Sequence, residues 1–286
     1  MANLKDLRSR ITSVSSTMQI TSAMKMVSAA KLSRAQDAIT QMRPYSQKLT
    51  QLLQDLSATL DDDASSKYAE EREVNNVLIV AISSNKGLAG AFNTNVIKAV
   101  KYKAKNDYKA KNVDIYTVGK KANDILKKEY EVYKNSNEIY EDLSFENASA
   151  IAEELMQLFL DRKYDKIVLV YNQFKNAATQ IVQHEQFLPI EQFDSEENKQ
   201  LDYIFEPSKL EIVKDLIPKS LKMQFFKALR DSFASEHGAR MTAMHKATEN
   251  ATELRDDLKL SYNKARQASI TNEILEIVGG AEALNG

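Results

Sequence analysis

The sequence has no cysteine and no tryptophan, and only seven glycines and four prolines among its 286 residues. Without cysteine there is neither a disulfide framework nor a thiolate metal site. The three histidines, His184, His237 and His245, show no ligand spacing, and the two on one helix stand eight residues apart, too far to chelate together. No metal and no cofactor are therefore expected. No apolar run approaches the ~20 residues of a membrane-spanning helix. The opening MANLKDLRSR lacks an apolar signal core, so a mature N-terminus and a soluble, cytoplasmic chain are expected. Neither charge dominates, with 39 basic against 40 acidic residues, which disfavours a nucleic-acid partner.

The scarce glycines and prolines are unevenly placed. No glycine precedes Gly87, and only Pro44 interrupts that stretch. Between Pro218 and Gly279 the one such residue is Gly238. Both ends therefore read as very long helices. Leu4, Leu7, Ile11, Val14 and Met18 alternate spacings of three and four, a coiled-coil seam resumed at Leu32, Ala35, Ile39 and Met42. Pro44 is expected to kink or cap that helix, at a cost of ~3 kcal/mol. The matching seam reads Met244, Ala247, Ala251, Leu254, Leu258, Ser261, Ala265 and Ala268. About 65 helical residues at ~1.5 Å each extend nearly 100 Å, so part of the hairpin must project.

The middle has another texture. A polar stretch, Asp61 to Glu73, leads into apolar β-branched runs at Val77–Ile82, Val113–Val118 and Ile167–Tyr171. Helical patterns near Thr94–Lys105, Lys120–Glu129 and Asn147–Lys163 alternate with them, which predicts a mostly parallel sheet. Residues 179–190 alternate apolar and polar and suit an added edge strand. The fold class is α/β, a long antiparallel coiled coil of the N- and C-terminal helices with an inserted Rossmann-like domain. The expected bounds are 1–60 for the first helix, 61–209 for the α/β domain and 210–286 for the second helix.

Catalytic signals are weak. The loop Ser83-Ser84-Asn85-Lys86-Gly87-Leu88-Ala89-Gly90 lies between a strand and a helix, where phosphates bind free N–H groups. Its lysine precedes the glycines, so it matches neither GxxxxGK[ST] nor GxGxxG. A tight turn needing positive φ explains it better. Carboxylate pairs such as Asp256-Asp257 and Glu153-Glu154 sit among lysine and arginine, as surface ion pairing requires.

The informative anomaly is apolar. From Ile11 to Ala30 only Lys25 is charged, and Met18, Ile20, Met24, Met26 and Val27 cover more than one helical face. The other terminus repeats this with Ile270, Ile274, Leu275, Ile277 and Val278. A two-helix hairpin buries one stripe per helix, so other chains must cover the rest. Residues 1–43 carry seven basic and two acidic side chains, which suits a partner with acidic loops. A homodimeric interface is the plainer alternative.

Several segments resemble one family. They are Ile11-Thr12-Ser13-Val14 with Thr17–Leu32, Arg43-Pro44-Tyr45, Ser84–Asn93, Ala234-Ser235-Glu236-His237 with Ala239–Met244, and above all Ser261–Ala281. Together they are similar to the gamma subunits of rotary ATP synthases, over both ends and the domain core. The resemblance implies a non-catalytic shaft inside a ring of three alpha and three beta subunits. It would be turned by a proton-driven c-ring, with an epsilon subunit alongside. Catalysis would then reside in the beta subunits, and the assembly would lie on the cytoplasmic face of the bacterial inner membrane. By the same resemblance, Met24, Lys25, Arg240, Arg266, Gln267 and Thr271 would meet the alpha/beta ring. Tyr203, Phe205 and Glu206, within Asp202–Pro207, would form the foot on the c-ring. No cysteine-bearing regulatory insert is present. Gly238, where relatives often carry alanine, is expected to weaken the helix between Arg230 and Arg240 by up to ~1 kcal/mol. Rival readings are a homodimeric scaffold and a nucleotide-binding enzyme built on the Lys86 loop.

Overall fold

The computed structural model describes residues 4–57, 66–190 and 209–285. Six helices are described: α1 (Leu4–Ser57), α2 (Ser66–Ala69), α3 (Phe92–Asn106), α4 (Lys120–Leu126), α5 (Phe145–Leu160) and α6 (Lys209–Asn285). The strands are β1 (Asn76–Ile82), β2 (Asn112–Val118), β3 (Val132–Asn135), β4 (Lys166–Phe174) and β5 (Gln180–Leu188). Two compact units result, one of residues 1–28 and 241–286, the other of residues 29–240.

In the second unit the strands form one sheet in the order β3-β2-β1-β4-β5. The first four run parallel, and β5 returns antiparallel to β4. Val77 to Ile82 of β1 are all fully buried, as an unbroken apolar run demands when helices cover both faces. One face packs Val77, Ile79 and Ala81 against Val96, Ile97 and Val100 of α3 and Ala122 and Leu126 of α4. The other packs Leu78, Val80 and Ile82 against Leu155 and Phe159 of α5 and Leu221 and Phe225 of α6. Ser144 caps α5 by accepting from the Asn147 N–H. The alternating edge segment is β5, as its pattern predicts. Sequence reading missed β3, because four residues reading VYKN show no usable period.

Both long helices continue through their breakers. The first helix runs through Pro44 to Ser57. Ile39 and Leu49 are buried on either side, and that packing offsets the missing hydrogen bond. Likewise α6 is helical through Gly238, across Lys209–Asn285. A Cβ at Gly238 would stand 3.2 Å from Cα and 3.3 Å from the carbonyl oxygen of Ala177, in the β4–β5 turn. Glycine is there so that turn and helix can approach.

Candidate partner interface

The first unit pairs the start of α1 with the later part of α6. On α1 the positions Leu4, Leu7, Ile11, Val14, Met18, Thr21, Lys25 and Ser28 are buried or half-buried, in unbroken three–four spacing. The seam seen in sequence therefore does not pause after Met18. It continues in polar residues. On α6 the buried and half-buried series is Met241, Met244, Thr248, Ala251, Arg255, Leu258, Tyr262, Ala265 and Ser269. Met244, Ala251, Leu258 and Ala265 are as expected, but Leu254, Ser261 and Ala268 are exposed. The intervening positions belong to Arg255, Tyr262 and Ser269, and Thr248 replaces Ala247 in the register.

Polar seam residues find partners. The Thr248 hydroxyl donates to Thr21 Oγ1 at 2.8 Å, and Lys25 Nζ lies 3.4 Å from His245 Nδ1. Arg255 Nη1 reaches Met18 Sδ at 3.3 Å, so the two helices run antiparallel. Thr12, Thr17 and Thr271 return their hydroxyls to the carbonyls of Arg8, Ser13 and Gln267. Back-bonding of this kind lets a hydroxyl-rich surface stay helical without a second chain.

Outside the seam, apolar groups face water. Met26 is 65% exposed, and Ile20 and Val27 are similarly open. Beyond Ser269 every residue through Ala281 is exposed, including Ile270, Ile274, Leu275, Val278 and Ile277, the last at 71%. The C-terminal end of α6 thus runs past the start of α1. Arg266, Gln267 and Thr271 are exposed on this stretch, whereas Met24 and Lys25 are half-buried. Among the described residues Arg266 forms no ion pair. The expected foot residues Tyr203, Phe205 and Glu206 lie outside the described residues.

Arg240, in the second unit, is buried. Its Nε donates to the Gly87 carbonyl at 3.2 Å and its Nη2 to the Lys86 carbonyl at 3.1 Å. Its guanidinium also pairs with Glu236 at 2.6 Å. Burial pushes the Glu236 carboxyl up, while Arg240, Lys31 and Lys86 pull it down. His237 lies beside this pair and is pushed down to about 3 by burial, then by Arg240, Lys31 and Lys86. From Ala234 to Arg240 all seven residues are buried, and Ser235 Oγ donates to the Asn172 carbonyl at 3.0 Å. A stretch with this much charge reads as surface in sequence, and it is enclosed.

The Lys86 loop is closed upon itself. Tyr140 donates to the Ser83 carbonyl at 2.7 Å, and Ser84 N–H donates to Asn93 Oδ1 at 3.0 Å. The first N–H groups of α4 go to Asn85 Oδ1, the Ser84 carbonyl and Ser83 Oγ. Leu88 at φ 60° and Gly90 at φ 55° carry the tight turn. Leu88 projects, 64% exposed. Among the described residues no group of His, Asp and Glu could hold a metal ion.

The family model of ATP synthase matches residues 3–284. The ATP synthase gamma chain of Christiangramia forsetii is 94% identical over 286 residues, spanning all of both chains. This chain belongs to the ATP synthase gamma-chain family. The gamma chain of Flavobacterium johnsoniae is 67% identical over 287 residues, again across the full length of both. Among solved structures, a chain of the Tetrahymena thermophila mitochondrial ATP synthase central stalk and c-ring matches with 25% identity and a TM-score of 0.58. The match covers 80% of this chain and 99% of that one. A chain of the Euglena gracilis enzyme shares the fold, with 22% identity, a TM-score of 0.70, and coverage of 98% and 94%. The chain contains paired terminal helices and a mostly parallel sheet. No described helix is long and apolar enough to cross a membrane.

Proposed function

We propose that the chain, as the central-stalk member of an ATP synthase, is a rotor shaft that performs no chemistry itself. Its helical pair turns inside a ring of three alpha and three beta subunits and carries the rotation of a proton-driven c-ring to the beta catalytic sites. The observation that carries this reading is the apolar surface of the first unit: Ile20, Met26, Val27 and the stretch from Ile270 to Val278 are exposed within one continuous helical pair. An apolar sleeve offers such a surface few fixed polar bonds, so the shaft can turn without being held at one angle. The Lys86 loop supports the absence of catalysis, since its lysine precedes the glycines and fits neither phosphate-binding pattern.

Arg266, Gln267 and Thr271 supply the angle-dependent polar contacts to the ring, and Met24 and Lys25 meet it on the facing shaft segment. Arg240 belongs with them through the loop whose Lys86 and Gly87 carbonyls it holds, leaving Leu88 exposed. Tyr203, Phe205 and Glu206 form the foot on the c-ring, with epsilon alongside. The segments 1–60 and 210–286 serve as the shaft and 61–209 as its α/β attachment. The chain lies peripherally at the cytoplasmic face of the bacterial inner membrane.

A bistable ring responds to the shaft only through contacts that differ between its states. In a reconstituted complex, Arg266→Ala with Gln267→Ala should lower ATP hydrolysis and synthesis at least about fivefold, a typical coupling energy. Complex yield and melting temperature should hold. Normal turnover in a correctly assembled double variant would refute the coupling role.

A further inference from the structure

The α3–α4 side of the sheet carries a charge pattern that rotation does not use. Residues 94–128 hold ten lysines and three aspartates, in a chain whose net charge is −1. Of those aspartates, Asp114 receives the Tyr164 hydroxyl from the α5 side of the sheet and so does not offset this face. Lys101 and Lys105 pair with Glu129, and Lys103 pairs with Asp107. Lys98, Lys109, Lys111, Lys120, Lys121, Lys127 and Lys128 form no ion pair among the described residues. The inner surfaces of α3 and α4 are spent on the core, through Val96, Val100, Ala122 and Leu126. The lysines lie on their outer surfaces and on the turns that follow them, Lys109 and Lys111 after α3 and Lys127 and Lys128 after α4.

Two further features narrow the partner. The chain has no arginine between Arg72 and Arg162, so all the cations of this face are ammonium groups. Arginine's planar fork suits the fixed carboxylates of a folded partner, whereas lysine is a point charge that imposes no geometry. A purely lysine field therefore fits a fluid array of negative charge. Within the field, Tyr102 is 65% exposed and stands one helical turn from both Lys98 and Lys105, and Ile125 is exposed beside Lys127 and Lys128. An amphipathic tyrosine flanked by long aliphatic stems matches the boundary between headgroups and acyl chains.

We infer that the outer face of α3 and α4 is a docking surface for anionic phospholipid headgroups. This face is separate from the helical pair that carries the coupling role, so either idea can fail alone. The test is flotation of the full-length chain with vesicles that are roughly one-third phosphatidylglycerol in phosphatidylcholine, against phosphatidylcholine alone. Flotation separates vesicle-bound protein from aggregates, which sink. The chain should float with the anionic vesicles only, and should be released by salt. Lys98→Gln with Lys109→Gln and Lys127→Gln should weaken binding by on the order of 100-fold, at roughly fivefold per lysine. The same triple variant in a reconstituted complex should turn over normally. Ile274→Ser with Leu275→Ser, which removes apolar groups of the other unit, should leave flotation intact. Equal binding to neutral vesicles, equal binding by the triple variant, or displacement of anionic vesicles by equimolar poly-glutamate would each overturn the assignment. The last outcome would identify an acidic polypeptide as the occupant.

Discussion

The two units of this chain treat burial in opposite ways. In the α/β unit charged and polar groups are enclosed, with Glu236, His237, Arg240, Ser235 and Asn172 all buried beside a core of valine, isoleucine and leucine. In the helical unit aliphatic side chains stand in water, while its seam encloses threonine and lysine. Enclosed polar groups are tolerable when hydrogen bonds satisfy them, and that demands a fixed and finished structure. Exposed aliphatics in quantity mark a surface completed by something else. The first unit is therefore unfinished alone.

Isoleucine tests this contrast most strongly. Ile79, fully buried on β1, should cost about 2–5 kcal/mol of stability when replaced by alanine. Ile274, 54% exposed, should cost no more than about 0.5 kcal/mol and lower the yield of assembled complex instead. Denaturant titration of both variants, with complex recovery measured alongside, checks the pair. A large stability loss at Ile274 would mean that the helical unit is complete after all.

The enclosed charges of the second unit predict acid sensitivity. Unfolded, the His237 imidazole titrates near about 6.5. Folded, burial and the neighbouring Arg240, Lys31 and Lys86 hold it down to about 3. Between those values the unfolded chain carries the additional proton, so stability falls as pH drops below about 6.5 and levels off near 3. Glu236 acts oppositely, since its raised carboxyl favours the folded form on protonation. Comparison with His237→Gln isolates the imidazole. Between pH 7 and pH 5 the native protein should lose stability faster than the variant, by at most about 1.4 kcal/mol per pH unit, read by denaturant titration. Parallel curves would show that the imidazole is not what makes the enclosed cluster acid-sensitive.

The smallest effect sharpens the contrast at one atom. Helix propensity alone says that Gly238→Ala gains up to ~1 kcal/mol. The 3.2 Å approach of Ala177 says that it loses, because an added methyl must displace backbone at a packed turn. A net loss of about 1–2 kcal/mol is expected, read by thermal melting. A gain would mean that the turn yields.

Legibility in the sequence followed the same division. The parallel strands were readable because β1, β2 and β4 are dense in β-branched residues, and Gly87 and Gly119 lie close to the strand ends. The exposed aliphatics were readable because their excess over one helical stripe is a matter of counting. The seam was half readable: Leu4 to Met18 on α1 and Met244, Ala251, Leu258 and Ala265 on α6 were correct, Leu254 and Ala268 were not, and Thr21, Lys25, Thr248 and Arg255 keep the register through pairings that composition does not encode. The buried cluster around Arg240 was hidden, since a run containing glutamate, histidine and arginine reads as surface until the loop that it braces is in place. Gly238 misled for a related reason, its neighbour being 61 residues away in sequence.

The end of α6 has a kinetic consequence. Past Ser269 it has no partner helix within its unit, and its exposed side chains add no packing. A solitary helix of this length is marginal in water, because nucleation is costly and each added residue contributes little. Its backbone amides should therefore exchange with solvent rapidly in the free chain, near the limit for local opening. Once surrounding subunits enclose the segment, ordering it is charged against the binding free energy, and exchange slows. Deuterium uptake across residues 270–281 thus acts as a clock for assembly, reporting when the enclosure closes and not only whether it does.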